Sequence, residues 1–461
     1  MIKKSLVGFL LQGLGSVLAF VVQFYLAKEF GATEYGRFNY YFGIIGFTSI
    51  FLIYGFQYSV SKYKDTVNIQ AETLNSFSLL CIVVIPVASV VFYLNNFSLI
   101  LIMFLVIGTI SFSLLEIFRI LYTTRFESNK AIFLKTWLFN CLFLIVALIL
   151  NSQLEFKENL LLALVISCSI ISIPLFVINV RHVYISLDFI KKSAPFFLIQ
   201  LFYTSHIYLA KIIPSIFYGY ELIAGISVAI LVSRVIALIG STSSFILMPY
   251  FSDLFRINKV DEVKVIYKEI RVINTSLTFP ILACILIYSE KILAYISDDY
   301  MQYSLILIVI SIGAIFPIIF GPNGTVILMT KSFKKEINSG LILISTFLLF
   351  SLLFGSLNIL VVPLAFASAE ILASLYKVLV VKKILGFSFD YKYYLKLLFL
   401  LTVNLLLCYS VAHMESNLLS YLLSGLVLFV SIAVNMVVLS DRKNINKYRT
   451  AVYDFRNSFK L

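Results

Sequence analysis

Three basic side chains of this sequence lie inside long apolar runs, where a charge is hardest to accommodate. Arg234 occurs in ISVAILVSRVIALIG, and His206 and Lys211 occur together in LFYTSHIYLAKII. A charge at the centre of a bilayer costs about 2.5–3.5 kcal/mol on insertion scales, so such a residue faces a cavity or a partner. The three residues therefore predict a cationic site for an anion such as a phosphate or pyrophosphate.

Each of these residues also has a structural interpretation. Arg234 could form an ion pair with another helix, Lys211 could extend its stem to the outer face, and His206 could be a hydrogen-bonded packing residue. Glu370, at the centre of PLAFASAEILASLYK, bears on the first interpretation, because it could neutralise Arg234 or Lys211. It could equally carry a proton.

Further polar residues lie in other apolar runs. Glu116 precedes Arg119 by three positions, the spacing at which two side chains meet on a helix surface, and is a second candidate for ion coupling or charge balance. Three glutamines suit neutral groups such as sugar hydroxyls, although they equally suit contacts between helices. These weaker candidates for glycan binding are Gln12, Gln23 and Gln57.

The sequence lacks the motifs of several enzyme classes. Neither a GxxxxGK[ST] nucleotide-binding loop nor an HExxH zinc motif occurs. The three histidines lie on different predicted spans or loops, which predicts no metal site. The five cysteines lie inside apolar runs, at spacings that suit neither a metal nor a disulfide framework. We therefore expect no cofactor and no enzymatic activity.

Composition places these residues in a membrane. Of 461 residues, 61% are hydrophobic and 13% are charged, against about 25% charged in an ordinary soluble domain. Too few polar residues remain to cover a water-facing surface. Long apolar runs exclude an outer-membrane barrel, whose strands alternate. The net charge of +13 is spread over short loops rather than gathered on one face, which argues against a nucleic-acid partner.

The apolar runs predict an all-α polytopic membrane protein with about fourteen transmembrane helices. With the N-terminus in the cytoplasm, 30 of the 36 Lys and Arg residues fall in cytoplasmic segments, as the positive-inside rule requires, and both termini are then cytoplasmic. Twelve spans would keep the same parity. The longest inner loop, 250–271, alternates in charge and predicts a solvated helix at the membrane surface. The predicted spans are 6–27, 40–59, 75–94, 97–121, 133–150, 160–180, 195–217, 222–248, 273–289, 303–328, 338–355, 359–381, 395–412 and 417–439.

Several short motifs resemble one family of transporters. The loop AKEFGATEYGRF after the first span carries Gly31, Tyr35 and Gly36 in the order of that family's LGxxxYG element. Residues 54–60, YGFQYSV, resemble the end of its second span, and residues 248–254, MPYFSDL, resemble its proline-containing elbow after span 8. The family is the polysaccharide-transporter branch of the multidrug/oligosaccharidyl-lipid/polysaccharide exporter superfamily, specifically the Wzx-type O-antigen flippases.

The resemblance implies two six-helix lobes around a central cavity, with two additional C-terminal helices. The implied divisions are 1–192 for the N-terminal lobe, 193–394 for the C-terminal lobe, 395–440 for the additional spans and 441–461 for a basic cytoplasmic tail. Spans 1, 2, 7 and 8 would line the cavity, which is where the three bases fall. Relatives often carry an aspartate near the middle of span 7, and its absence from Leu209-Ala210-Lys211 favours a purely anion-attracting site.

The resemblance further implies a function, a location and partners. The function is translocation of undecaprenyl-pyrophosphate-linked oligosaccharide repeat units across the bacterial inner membrane by alternating access, for O-antigen or another surface polysaccharide. The implied partners are the lipid-linked oligosaccharide, membrane lipids, and the polysaccharide polymerase and chain-length regulator. Transport could be coupled to protons or sodium through Glu370 or His206, or it could be driven by polymerisation outside.

Two alternatives remain open from the sequence. A cation-coupled multidrug or small-molecule exporter of the same superfamily should carry a mid-membrane carboxylate in its N-terminal lobe, and spans 1, 2, 3, 5 and 6 have none. A membrane-embedded glycan polymerase or transferase should have a substantial outer loop with acidic and basic residues. The predicted outer loops are short.

Overall fold

A computed structural model gives the structure of most of the chain, and nearly all of what it describes is helical. No β-strand occurs in that part of the chain. The described residues are 2–63, 69–124, 128–153, 158–179, 187–330, 332–387, 391–412 and 418–439. The predicted tail at 441–461 therefore lies outside the described residues.

Sixteen α-helices follow one another along the described ranges. A π-helix, Phe133–Leu138, separates α5 from α6, and two short 3-10 helices, Ile213–Ile216 and Asp298–Tyr303, follow α8 and precede α11. The helices are α1 (Ile2–Ile53), α2 (Phe56–Lys62), α3 (Ile69–Leu94), α4 (Leu99–Thr124), α5 (Ser128–Ile132), α6 (Phe139–Gln153), α7 (Asn159–Asn179), α8 (Leu187–Ile212), α9 (Tyr220–Arg256), α10 (Val260–Ala294), α11 (Ser304–Ile319), α12 (Asn323–Met329), α13 (Phe333–Phe354), α14 (Val361–Leu385), α15 (Tyr391–Ala412) and α16 (Leu418–Leu439).

The predicted fold class, an all-α polytopic membrane protein, is confirmed. Within the described ranges, twelve helical segments are long and apolar enough to cross a membrane. The first, Gly13–Ile53, has 41 residues, about twice what one crossing needs, and non-helical backbone at Gly31 (φ 71°, ψ 173°) divides it. Helix α16 adds 22 residues. Each of the fourteen predicted spans overlaps one of these helical segments.

Three local predictions are wrong in detail. The segment after the first span is not a loop, because α1 is helical on both sides of Gly31. The predicted span 40–59 is interrupted at Tyr54 and Gly55, whose φ angles are 46° and 73°. The predicted span 303–328 is likewise broken, since α11 ends at Ile319 and α12 begins at Asn323.

The charged inner loop is also built differently from the prediction. It is not a separate surface helix, because α9 continues to Arg256 and α10 already begins at Val260. The turn between them contains Lys259, whose ammonium donates a hydrogen bond to Glu262 at 2.6 Å. That bond and the carboxylate charge raise the pKa of Lys259. The alternating charges therefore belong to the ends of two long helices.

The chain forms two compact units. The first consists of Met1–Leu231, Ala294–Tyr303 and Leu343–Phe366. The second consists of Val232–Leu293, Ser304–Ile342 and Ala367–Leu461. The lobe boundaries implied by the family resemblance stay a prediction.

In the first unit, small residues let helices approach closely. A Cβ at Gly43 would meet the Lys211 Cβ and the Tyr208 carbonyl at 3.1 Å, and one at Gly46 would lie inside the Tyr208 ring. Glycines at this spacing allow tight helix packing where lipid offers no hydrophobic driving force. The second half of α1 therefore lies directly against α8.

The LGxxxYG-like residues have a physical role in the same unit. The Tyr35 side chain is buried, and its hydroxyl donates a hydrogen bond to Oε1 of Gln23 at 3.2 Å. A Cβ at Gly36 would lie 1.9 Å from the carbonyl oxygen of Tyr220. Through Gly36, the motif thus packs the second half of α1 against the start of α9.

In the second unit, α10 carries a series of polar contacts. The Asn435 amide donates to the Ser276 carbonyl at 3.3 Å, and the Asn404 amide donates to Oδ1 of Asn435 at 2.9 Å. Both asparagines are at most 1% exposed. Towards the start of α10, the Arg271 guanidinium lies 3.7 Å from the centroid of the Tyr393 ring. These contacts attach α15 and α16 to α10.

The close approach at Gly36 gives a first prediction. A methyl group there must displace the Tyr220 backbone, and overpacking of this kind costs about 1–3 kcal/mol. We expect Gly36→Ala to lower the thermal unfolding midpoint of the detergent-purified chain by several degrees. Gly13→Ala is the matched control, because a Cβ at Gly13 meets nothing within 4 Å. Equal midpoints for the two variants would contradict the packing described.

Candidate substrate-binding site

Arg234 lies in the middle part of α9, inside the candidate span Tyr220–Ser244. Its side chain is exposed. Among the described acids, none is observed in an ion pair with it. The role of Glu370 in neutralising Arg234 or Lys211 stays a prediction. An exposed arginine at this depth is tolerated where it faces water or a polar ligand rather than lipid.

The helix face around Arg234 combines small, polar and apolar residues. Ala237 and Ser241, three and seven positions further on, are also exposed. The adjacent apolar side chains of Val235 and Leu238 are exposed as well, at 37% and 39%. One turn beyond, the hydroxyl of Ser243 donates a hydrogen bond to Oδ1 of Asn274 at 2.6 Å. Arg234 is therefore an exposed cation on a mixed surface of α9.

Lys211 is placed differently. It belongs to the first unit, and only 8% of the residue is exposed. Its ammonium donates a hydrogen bond to Oδ1 of Asn39 at 2.7 Å and lies 5.0 Å from the centroid of the Phe42 ring. An amide oxygen and an aromatic face are both good partners for a buried ammonium. In this packing Lys211 joins α8 to the second half of α1.

His206 is also buried, one turn before Lys211 on α8. Its Nδ1 donates to the carbonyl of Tyr203 at 2.7 Å, and its ring centroid lies 4.9 Å from that of Phe366. The structure thus brings His206 and Lys211 into the same unit and places Arg234 in the other. The grouping of all three around one anion stays a prediction.

The three glutamines differ in their surroundings. Gln57 is exposed on α2, whereas Gln23 is half-buried and accepts the Tyr35 hydrogen bond. The side chain of Gln12 lies outside the described residues. Gln57 is therefore the most solvent-accessible of the described glutamine candidates.

The two acids also differ. Glu116 accepts from Arg119 at 2.7 Å, as the spacing predicts, and it also pairs with Lys135 from the π-helix. The carboxylate of Glu116 thus has two cationic partners. Glu370 is half-buried on α14 in the second unit.

Sequence reasoning missed a buried ion pair. The Lys377 ammonium lies 2.6 Å from Oε1 of Glu336, whose side chain is only 5% exposed. Gly324 lies directly beside the pair. The sequence contained a signal for this pair, because Glu336 and Lys377 fall at the predicted cytoplasmic ends of consecutive spans. Counting charged residues alone, however, treats both side chains as exposed to solvent. No group of three or more His, Cys, Asp and Glu side chains suited to a metal occurs among the described residues.

Comparison with known proteins identifies the fold. No protein-family model matches the chain, and no curated protein matches its sequence. Among solved structures, the lipid II flippase MurJ in an inward closed conformation is similar, with a TM-score of 0.71 and 16% identity over 93% of this chain and 98% of that one. An inward-facing multidrug resistance MATE family transporter of the MOP superfamily gives a TM-score of 0.60 and 12% identity, over 81% and 94% of the two chains. An outward-facing MATE transporter gives 0.52 and 12%, over 84% and 93%.

The chain therefore has the polytopic helical fold found in MOP-superfamily transporters. Within that class, MurJ and the MATE transporters are the structures to which it is similar. At 16% identity and below, this similarity defines the fold alone. The substrate has to be argued from the residues.

The buried Lys211 gives a second prediction. Asn39→Leu removes the amide that accepts from the ammonium, and losing a hydrogen bond to a buried charge costs about 1.5–3 kcal/mol. We expect a lower thermal unfolding midpoint, partly restored in the Asn39→Leu/Lys211→Met double variant. Asn95→Leu is the control, because Asn95 is exposed and its side chain bonds only to its own helix backbone.

The same variants separate a packing role from a binding role. If Lys211 serves packing alone, the double variant that regains stability also regains transport. Unchanged stability of Asn39→Leu would contradict the structural role of the pair.

Proposed function

We propose that the chain translocates undecaprenyl-pyrophosphate-linked oligosaccharide repeat units across the bacterial inner membrane, for O-antigen or another surface polysaccharide. The observation that carries this proposal is Arg234, an exposed cation at mid-span that has no acid partner among the described residues. A guanidinium binds phosphate oxygens in a bidentate manner. The pyrophosphate of the lipid-linked saccharide is an anion of this kind.

The shape of the substrate agrees with the fold. One structure to which the chain is similar is named a lipid II flippase, and lipid-linked saccharides share a long apolar tail that stays in the bilayer. The chain itself contributes a mid-membrane cation and an exposed amide at Gln57. A cation suits the phosphates of such a lipid, and an amide suits neutral sugar hydroxyls.

The remaining residues have assisting roles in this proposal. Lys211 adds positive potential to the first unit and His206 is a second assisting residue there, while Gln12 and Gln23 are weaker glycan candidates than Gln57. Glu370 and His206 are the proposed coupling groups if protons or sodium drive transport, with Glu116 as a second acid. Transport proceeds by alternating access of lobes at 1–192 and 193–394.

The surroundings of the protein follow from the same proposal. Both termini lie in the cytoplasm, as the distribution of basic residues predicts. The chain acts beside the polysaccharide polymerase and chain-length regulator. It performs no chemical step itself and needs no cofactor.

A second candidate is a multidrug exporter, because MATE family transporters are similar in fold. The exposed guanidinium of Arg234 argues against it for cationic drugs, since a fixed positive charge repels them. An anionic drug would be compatible with the same site, and transport assays separate it from a lipid-linked substrate.

The third prediction tests the proposal in cells. A strain lacking this chain should lose surface polysaccharide and accumulate lipid-linked single repeat units on the inner leaflet. We expect the wild-type chain to restore the polymer and Arg234→Ala to restore at most about a tenth of it, since a charge-assisted hydrogen bond contributes about 1.5–3 kcal/mol. Arg234→Lys should restore an intermediate amount, because the charge stays while the bidentate geometry is lost.

The control for this experiment lies on the same helix. Arg256→Ala removes an exposed arginine that pairs only locally with Asp253 at 3.0 Å, and it should complement fully. Normal polymer in the deletion strain would overturn the proposed substrate. Full complementation by a well-expressed Arg234→Ala chain would instead show that Arg234 on α9 does not bind the anion.

A further inference from the structure

The break between α1 and α2 has an unusual backbone. Tyr54 has a φ of 46°, a left-handed conformation that costs a non-glycine residue free energy. Gly55 follows with a φ of 73°, and a Cβ there would lie 2.4 Å from the Phe197 backbone nitrogen. The Gly55 amide donates to Oε1 of Gln200 at 2.7 Å. The chain is therefore held in this turn, hard against α8.

The turn places two tyrosine rings on two phenylalanine rings of α8. Tyr54 stacks almost parallel on Phe197, with centroids 4.6 Å apart and an interplanar angle of 10°. One turn along, Tyr58 stacks on Phe196 with centroids 6.3 Å apart and an angle of 27°. All four side chains are half-buried, so part of each stays accessible. We refer to these four rings as the aromatic platform.

The platform borders the hydrophobic core. Phe56, on the other side of the same turn, is fully buried and stacks on the buried Phe189, with ring centroids 5.5 Å apart. Tyr54 packs against the core cluster that contains these two rings, and it stays half-buried. The platform is therefore the accessible edge of this core.

Polar and apolar groups lie next to the platform. Gln57 is exposed between Tyr54 and Tyr58 in the sequence, and the exposed Lys62 lies with its ammonium 5.2 Å from the centroid of the Phe196 ring. The Phe51 ring centroid lies 5.6 Å from that of Phe197. Another exposed aromatic pair, Phe350 and Phe354, has the exposed Leu349, Leu352 and Leu353 as sequence neighbours instead of an amide and a cation. Aromatic faces combined with an amide and a cation suit a ligand that has both flat apolar and hydroxyl surfaces.

We propose that the aromatic platform binds the saccharide of the lipid-linked substrate, by stacking the rings of Tyr54, Tyr58, Phe196 and Phe197 on the C–H faces of a pyranose while Gln57 bonds its hydroxyls. This inference rests on the proposed function and names the part of the molecule that recognises the glycan. Recognition by stacking tolerates different pyranoses, because each has a C–H face.

The fourth prediction uses two lipids and the full-length chain. The first lipid is undecaprenyl pyrophosphate, and the second is the lipid-linked saccharide extracted from the strain lacking this chain. Tyr58→Leu and Tyr54→Leu keep an apolar side chain but remove the ring. In native mass spectrometry titrations we expect each to weaken binding of the saccharide-bearing lipid about 3- to 10-fold and to leave binding of undecaprenyl pyrophosphate unchanged.

Three controls keep the experiment specific. Tyr58→Phe retains the ring and should bind both lipids like the wild type. Phe350→Leu removes a ring from an exposed aromatic pair elsewhere in the first unit and should change neither affinity. Arg234→Ala should weaken both lipids alike, because both carry the pyrophosphate.

The outcomes distinguish the two proposals. If the leucine variants lose both lipids equally, or neither, the platform does not recognise the saccharide and this inference is overturned while the pyrophosphate site stands. If the wild-type chain binds neither lipid, the proposed function fails and the platform loses its ligand with it. Equal affinity of the wild type for the two lipids would also overturn the platform's role.

Discussion

The absence of water in the bilayer interior is the constraint on which this structure depends. Each buried polar group there has to find a partner within the protein. Lys211 has the Asn39 amide, and Glu336 has the Lys377 ammonium. Arg234 is the contrast, because it is exposed and no described acid pairs with it. That difference is why Arg234, rather than the buried cation on α8, supports the substrate proposal.

The same constraint explains how the helices are allowed to break. Irregular backbone within a membrane is tolerated where it is buried in protein or lines a cavity. At Gly55, the side chain of Gln200 accepts the freed amide. Beyond α11, the hydroxyl of Tyr267 lies within hydrogen-bond distance of the Phe320 carbonyl and 2.7 Å from Oδ1 of Asn323. These two interruptions thus have side-chain support, and the one at Gly55 shapes the aromatic platform.

The sequence predicted the features that depend on residues close to one another along the chain. Hydropathy located the spans, the i, i+3 spacing identified the Glu116–Arg119 pair, and the rarity of mid-membrane charges selected Arg234. It was uninformative where partners are distant, as for Lys211, whose acceptor Asn39 lies 172 positions away. The platform was equally hidden, because its stacking depends on left-handed backbone at Tyr54 in a chain where 16% of residues are aromatic.

The asparagine pair between α15 and α16 has a consequence for how the protein is made. Asn404 and Asn435 each carry a carboxamide that a single helix would expose to hydrocarbon as it leaves the insertion machinery. Paired, the two amides bond to each other and to the Ser276 carbonyl of a helix synthesised earlier. Helices α15 and α16 are therefore better accommodated in hydrocarbon as a hairpin than singly.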